Sequence, residues 1–85
     1  MMPREKLLAQ GPHVLNDTEL LALFLRTGVS GKNVFQLAHD LLQQFHGLYG
    51  LIQASAQDLA RVKGLGGTAK RAQLIGVLEI ARRAM

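Results

Sequence analysis

The residues best suited to chemistry lie in a glycine-rich turn at 63–67, the second glycine turn of the chain. Three of the nine glycines fall within four positions there, at Gly64, Gly66 and Gly67. Such a density of glycine allows positive φ and leaves the backbone bare, so that several N–H groups can face one ligand. Thr68 follows as the expected N-cap of a helix. Backbone donors and the positive end of a helix dipole then coincide, which favours an anion.

The charge of the chain supports an anionic ligand at this turn. Residues 61–85 carry six basic side chains and one acidic one, a net charge of +5, whereas residues 1–60 carry a net charge of −1. This asymmetry favours a polyanion, and an ordinary solvated basic helix is the alternative. We predict a phosphate-binding set that consists of Lys63, Gly64, Gly66, Gly67, Thr68, Lys70 and Arg71. The competing interpretation is a structural turn between packed helices.

The first glycine turn, residues 28–33, resembles the second one weakly. At an offset of 36 residues, Gly28 aligns with Gly64 and Gly31 aligns with Gly67. Both regions are typical of a helix, a glycine turn and an amphipathic helix, which indicates an internal repeat. Only Lys32 adds charge, so a plain connection between helices is favoured here. The alternative is a weaker phosphate contact formed by Gly28, Ser30, Gly31 and Lys32.

Helices must position both turns. The chain has 85 residues, of which 48% are hydrophobic, and no strand-like alternation, so we predict one all-α domain of about five helices. The expected helices cover residues 3–10, 17–26, 34–45, 56–61 and 68–84, with a short helical turn at 48–52. Asn16 with Glu19 and Ser55 with Asp58 predict capping boxes. The helix at 17–26 is apolar nearly all round and is expected to be the central buried element.

The remaining polar residues predict neither catalysis nor metal binding. His39 and His46 lack a carboxylate or thiol at ligand spacing, and no nucleophile lies beside a base. Arg82 and Arg83 are expected to be solvated and to complement their own helix dipole, with a second phosphate contact as the alternative. The absence of cysteine fits a reducing cytoplasm, and no apolar run is long enough to span a membrane. We therefore expect a cytoplasmic protein.

Longer motifs resemble the N-terminal region of the RadC family. The matching segments cover nearly the whole chain and are 3–8, 15–28, 37–38, 48–51, 64–66 and 79–83, together with Phe45. The family usually has one residue fewer after its Gly-apolar-Gly segment, so Gly67 is an insertion here. Lys70 and Arg71 also lie close to the line of the buried helix stripe, and they must project beyond the core to reach a ligand.

The resemblance implies a fold and a role. The fold is a tandem helix-hairpin-helix domain over residues 1–85, in a SAM-like arrangement similar to the C-terminal part of RuvA, with a good hairpin at 56–84 and a degenerate one at 17–45. The role is sequence-independent DNA binding in a DNA repair protein, which positions a C-terminal JAB/MPN domain that these residues do not contain. Family hairpins can also hold a monovalent cation through turn carbonyls, here at 63–67, and no other cofactor is implied. The alternative is a protein-docking or dimerisation module without DNA binding.

Overall fold

The computed structural model describes residues 2–65 and 67–85, with the backbone alone at Thr68. Within these residues there are six α-helices and one 3-10 turn. In chain order they are α1 (Pro3–Gln10), the 3-10 turn (Pro12–Val14), α2 (Asp17–Leu25), α3 (Val34–Gln44), α4 (Leu48–Ile52), α5 (Ala56–Ala60) and α6 (Thr68–Ala84). The all-α prediction is confirmed, and the short helical turn predicted at 48–52 is α4.

Two helices begin at the predicted capping boxes. At the start of α2, the Glu19 amide donates to Asn16 Oδ1 at 2.8 Å, and the Asn16 amide donates to Glu19 Oε1 at 3.0 Å. At the start of α5, the corresponding bonds between Ser55 and Asp58 are 3.0 and 3.1 Å. Each box satisfies two backbone donors that a helix start leaves without a partner. These local patterns therefore determine where both helices begin.

A third capping box begins α3 and was missing from the sequence prediction. The Gln36 amide donates to Asn33 Oδ1 and the Asn33 amide donates to Gln36 Oε1, both at 2.9 Å. The signal was present, because an Asn followed by a Gln three residues later before an apolar run has the capping-box pattern.

The largest fully buried side chains among the described residues are six leucines. They are Leu37, Leu41, Leu51, Leu59, Leu65 and Leu74. α2 contributes Leu21, Ala22 and Leu25 to the buried core, whereas Leu20, Leu23 and Phe24 are only half-buried. The helix is therefore buried on one side and not all round. It packs against α1 and α3, and it shares the core with α3, which contributes Leu37, Ala38 and Leu41.

The two glycine turns are not conformational copies of each other. Gly31 has a φ of +85°, whereas its sequence equivalent Gly67 has a φ of −70°. Gly64 has a φ of +93°, whereas Gly28 lies outside the left-handed region. The repeat at 36 residues therefore describes the helix pattern and not the geometry of the turns.

Candidate functional site

The second glycine turn joins α5 to α6 and is held to the core by two apolar side chains. Val62 and Leu65 are 4% and 1% exposed, and the Leu65 amide donates to the Val62 carbonyl at 2.9 Å. Leu65 therefore anchors the turn in the core. Gly66 lies outside the described residues, so its predicted phosphate contact stays a prediction.

Gly64 is the point where the two glycine turns touch. A Cβ atom built on Gly64 would lie 2.4 Å from Cγ2 of Val29, which belongs to the first glycine turn. No side chain can be accommodated at that distance without movement of Val29, and the positive φ of Gly64 disfavours one as well. The two turns therefore lie side by side.

The start of α6 has no side-chain cap. Gly67 is the N-cap, with φ −70° and ψ 155°, and as a glycine it offers no side-chain oxygen to the amides of the first turn. The expectation that Thr68 is the N-cap is wrong, because the extended conformation of Gly67 ends the turn and Thr68 is already helical. The inserted residue thus occupies the cap position. Gly67 is exposed, and a Cβ there would meet no atom within 4 Å.

The cations around the turn differ in what they contact. Lys63 is exposed, and no hydrogen bond or ion pair engages its ammonium within the described part of the chain. Lys70 donates from Nζ to the Leu25 carbonyl at 2.8 Å and to Thr27 Oγ1 at 3.2 Å. Arg71 is half-buried and makes an interaction within the protein. Lys70 thus caps the C-terminal end of α2, and its phosphate contact stays a prediction.

Two backbone amides of the first glycine turn are engaged in hydrogen bonds within the turn. The Val29 amide donates to the Lys32 carbonyl and the Lys32 amide donates to the Val29 carbonyl, both at 3.0 Å. Ser30 and Gly31 are exposed at the tip. Lys32 Nζ lies 2.6 Å from Asp40 Oδ2, and this hydrogen bond lowers the pKa of the Asp40 carboxyl. The side chain of Lys32 is therefore the main charged group that this turn presents.

Arg82 is not solvated, contrary to the sequence prediction. Its guanidinium donates to the carbonyls of Ile52 and Ala54, at the end of α4, and to Glu79 at 2.9 Å. Arg83 lies next to it and is 80% exposed, as expected, although it also bonds to Glu79 at 2.9 Å. Hydrogen bonds from Arg82 and Arg83 lower the pKa of Glu79. Arg82 thus acts within the fold and is not available as a second phosphate contact.

No metal or membrane feature adds to this site. Across residues 2–65 and 67–85, no three His, Cys, Asp or Glu side chains are grouped closely enough to hold a metal ion. The monovalent cation expected at 63–67 depends partly on Gly66, which lies outside the described residues, and the Val62 carbonyl beside it already accepts the Leu65 amide. None of the described helices combines the length and hydrophobicity that a membrane span requires.

Within the described residues, the fold and the site define a small all-helical domain whose two glycine turns are in contact. The family model described as UPF0758 N-terminal matches residues 1–72. The chain therefore belongs to the UPF0758 family.

Similar family proteins are considerably longer than this chain. It is 68% identical to a UPF0758 protein of Variovorax paradoxus, over 98% of this chain and 37% of that protein. It is 61% identical to a UPF0758 protein of Leptothrix cholodnii, over 100% of this chain and 38% of that protein. The chain thus spans less than half the length of these relatives. No solved structure matches it.

Proposed function

We propose that this domain binds the sugar-phosphate backbone of DNA without reading base sequence. In this proposal it is a helix-hairpin-helix module of the RadC type that contacts phosphates through the start of α6. It holds DNA for a C-terminal JAB/MPN-type region of the longer family proteins, and it contributes no catalytic group itself.

One observation carries the proposal: α6, the longest helix, begins without the side-chain cap that begins α2, α3 and α5, as do the shorter helices α1 and α4. Asn16, Asn33 and Ser55 each satisfy the first turn of α2, α3 and α5 with a side-chain oxygen. The longest helix has glycine at this position and no side-chain bond. No N-cap side chain therefore competes for its first amides, and a phosphate oxygen is the acceptor that a helix dipole favours most.

The surroundings of Gly67 suit a polymer backbone better than a small enclosed ligand. Gly67 is exposed with open space above it, and Lys63 extends from the same turn into solvent. Backbone amides and a lysine ammonium recognise phosphate oxygens and carry no base information. Binding should therefore be insensitive to sequence and sensitive to salt.

Substitutions of Gly67 should change DNA binding and domain stability in opposite directions. Aspartate adopts the φ and ψ of Gly67 without strain, accepts the amides of α6 itself, and adds a negative charge. We expect Gly67→Asp to stabilise the domain by a few tenths of a kcal/mol. The same change should weaken DNA binding at least about tenfold. Gly67→Ala is the matched control and should leave binding close to that of the wild type.

The measurement is a titration of labelled duplex and branched DNA by fluorescence anisotropy across a salt series. Lys63→Glu should also weaken binding. It should reduce the slope of log K against log salt by about the amount that one phosphate contact contributes. Undiminished binding by Gly67→Asp, or wild-type binding that does not change with salt, would contradict the proposal.

Docking of another protein region is the second candidate function. Ile80, on α6, is 68% exposed, and Tyr49, on α4, is 67% exposed. Apolar side chains this exposed are typical of an interaction surface when they are contiguous. Size-exclusion chromatography of the domain, with and without the C-terminal region added in trans, distinguishes a docking module from a DNA-binding one.

A further inference from the structure

A cleft lies beside the contact between the two glycine turns, on the side of α3. It has a volume of about 330 Å³ and is lined by Lys32, Asp40, Gln43, Gln44, Val62 and Lys63. One lysine from each turn therefore lines the same open cleft, together with the side-chain amides of Gln43 and Gln44, which can donate hydrogen bonds. Asp40 is the one acidic residue in this lining.

The carboxylate of Asp40 partly cancels the positive charge of the cleft. Lys32 is only 22% exposed, and Asp40 Oδ2 lies 2.6 Å from its ammonium. Asp40 is 42% exposed, so solvent and a ligand can reach this ion pair. With two lysines and one carboxylate, the cleft has a net charge of +1, and without the carboxylate it would have +2.

Part of the backbone of the first glycine turn is already engaged. The amides of Val29 and Lys32 close the bridge between these two residues, and the Asn33 amide is used by the capping box of α3. Lys32 is the residue of this turn that lines the cleft, so a phosphate in the cleft would be held by side chains, those of Lys32 and its neighbours in the lining.

We propose that this cleft is a second phosphate subsite, which Asp40 restrains in the free protein by holding Lys32 in an ion pair. A backbone phosphate of bound DNA takes the place of the Asp40 carboxylate at Lys32 and lies between Lys32 and Lys63. This inference rests on the proposed DNA binding, which depends on the start of α6. It adds a second contact on the other turn and a residue that limits affinity.

Asp40→Asn tests the restraint by a gain in affinity, which a folding defect cannot imitate. Asparagine has the shape of aspartate and can still accept a bond from Lys32, but it no longer repels phosphate. We expect DNA binding to tighten about three- to tenfold at low salt, since one repulsive charge near the ligand is removed. The slope of log K against log salt should become steeper by about the amount that one phosphate contact contributes.

Two further variants make this test specific. Glu5→Gln, on α1, removes one negative charge, as Asp40→Asn does, but α1 contributes nothing to the cleft lining. It should therefore leave binding near the wild-type value. Lys32→Met combined with Asp40→Asn should abolish the gain. A thermal melt of each variant confirms that it is folded.

The outcomes are distinguishable. A gain in Asp40→Asn that exceeds that of Glu5→Gln and disappears with Lys32→Met supports the subsite. Equal affinities of Asp40→Asn and Glu5→Gln, while Gly67→Asp still weakens binding, would overturn the subsite and leave the proposed function intact. If the wild-type domain does not bind DNA at low salt, both are wrong.

Discussion

Two glycines of this chain are under opposite constraints. Gly64 has a φ of +93°, and a Cβ there would lie 2.4 Å from Cγ2 of Val29. Gly76 lies inside α6, is exposed, and would have no atom within 4 Å of a Cβ. The first glycine is therefore required by the contact between the two turns, whereas no contact among the described residues requires the second one.

This difference predicts opposite effects of the same substitution. Gly64→Ala should lower the free energy of unfolding by about 1–3 kcal/mol, because it adds a clash to an unfavourable φ. Gly76→Ala should raise it by about 0.5–1 kcal/mol, because alanine is the better helix former. Urea unfolding followed by circular dichroism measures both. Equal effects of the two substitutions would show that the contact between Gly64 and Val29 is not rigid.

Lys63 and Lys70 illustrate how far the candidate site could be predicted from the sequence. Glycine density and charge are local properties, so the position of the turn was predictable. The two lysines flank it alike in the sequence, but Lys63 is exposed and Lys70 bonds to the Leu25 carbonyl at 2.8 Å. Since Leu25 is 45 positions away, no local pattern could reveal that partner. Charge reversal at Lys70 would therefore disturb the end of α2 as well as any phosphate contact.

At the scale of the helices, the local signals predicted most starts correctly. The boxes at Asn16 and Ser55 were recognised because a polar residue and an acidic one stand three positions apart. The burial of α2 was not predictable in the same way. An apolar composition specifies that a helix can be buried, whereas the neighbouring helices determine how much of it is covered.

The carboxyls at the helix starts predict how stability depends on pH. The Asn16 amide and then Lys6 lower the pKa of Glu19, and the amide and hydroxyl of Ser55 lower the pKa of Asp58. A carboxyl whose pKa is lower in the folded state stabilises the fold above its ordinary pKa. That stabilisation is lost as the pH falls through the lower, folded-state value. The free energy of unfolding should therefore decrease on acidification below about pH 4.

Thermal melts from pH 7 to pH 2 measure this dependence. Asp58→Asn serves as the internal comparison, because it removes one of the titrating groups while an amide oxygen can still accept the Ser55 amide. Its melting temperature should fall less steeply than that of the wild type in the acidic range. A melting temperature that stays constant or rises from pH 5 to pH 2 would contradict the role of these carboxyls.

At the scale of the whole molecule, α6 connects the ends of two other helices. Lys70 donates to the last carbonyl of α2, and Arg82 donates to the last carbonyl of α4 and to Ala54. The two cations are about 18 Å apart along the helix. A cation at the C-terminal end of a helix satisfies carbonyls and opposes the negative end of the dipole. The basic composition of the last helix thus serves the fold as well as the proposed interface.

Arg82 and Arg83 provide a matched test of this connection, since both bond to Glu79 but only Arg82 reaches α4. Arg82→Ala leaves the carbonyls of Ile52 and Ala54 without their donor and should lower the free energy of unfolding by about 1–3 kcal/mol. Arg83→Ala removes an exposed ion pair and should change it by less than about 0.5 kcal/mol. Circular dichroism reports on all the helices, and the fluorescence of Tyr49 reports on α4. Because α4 packs against both α6 and α3, both signals should shift together in Arg82→Ala. A shift in the Tyr49 signal alone would mean that α4 unfolds independently and that α6 does not couple it to α2.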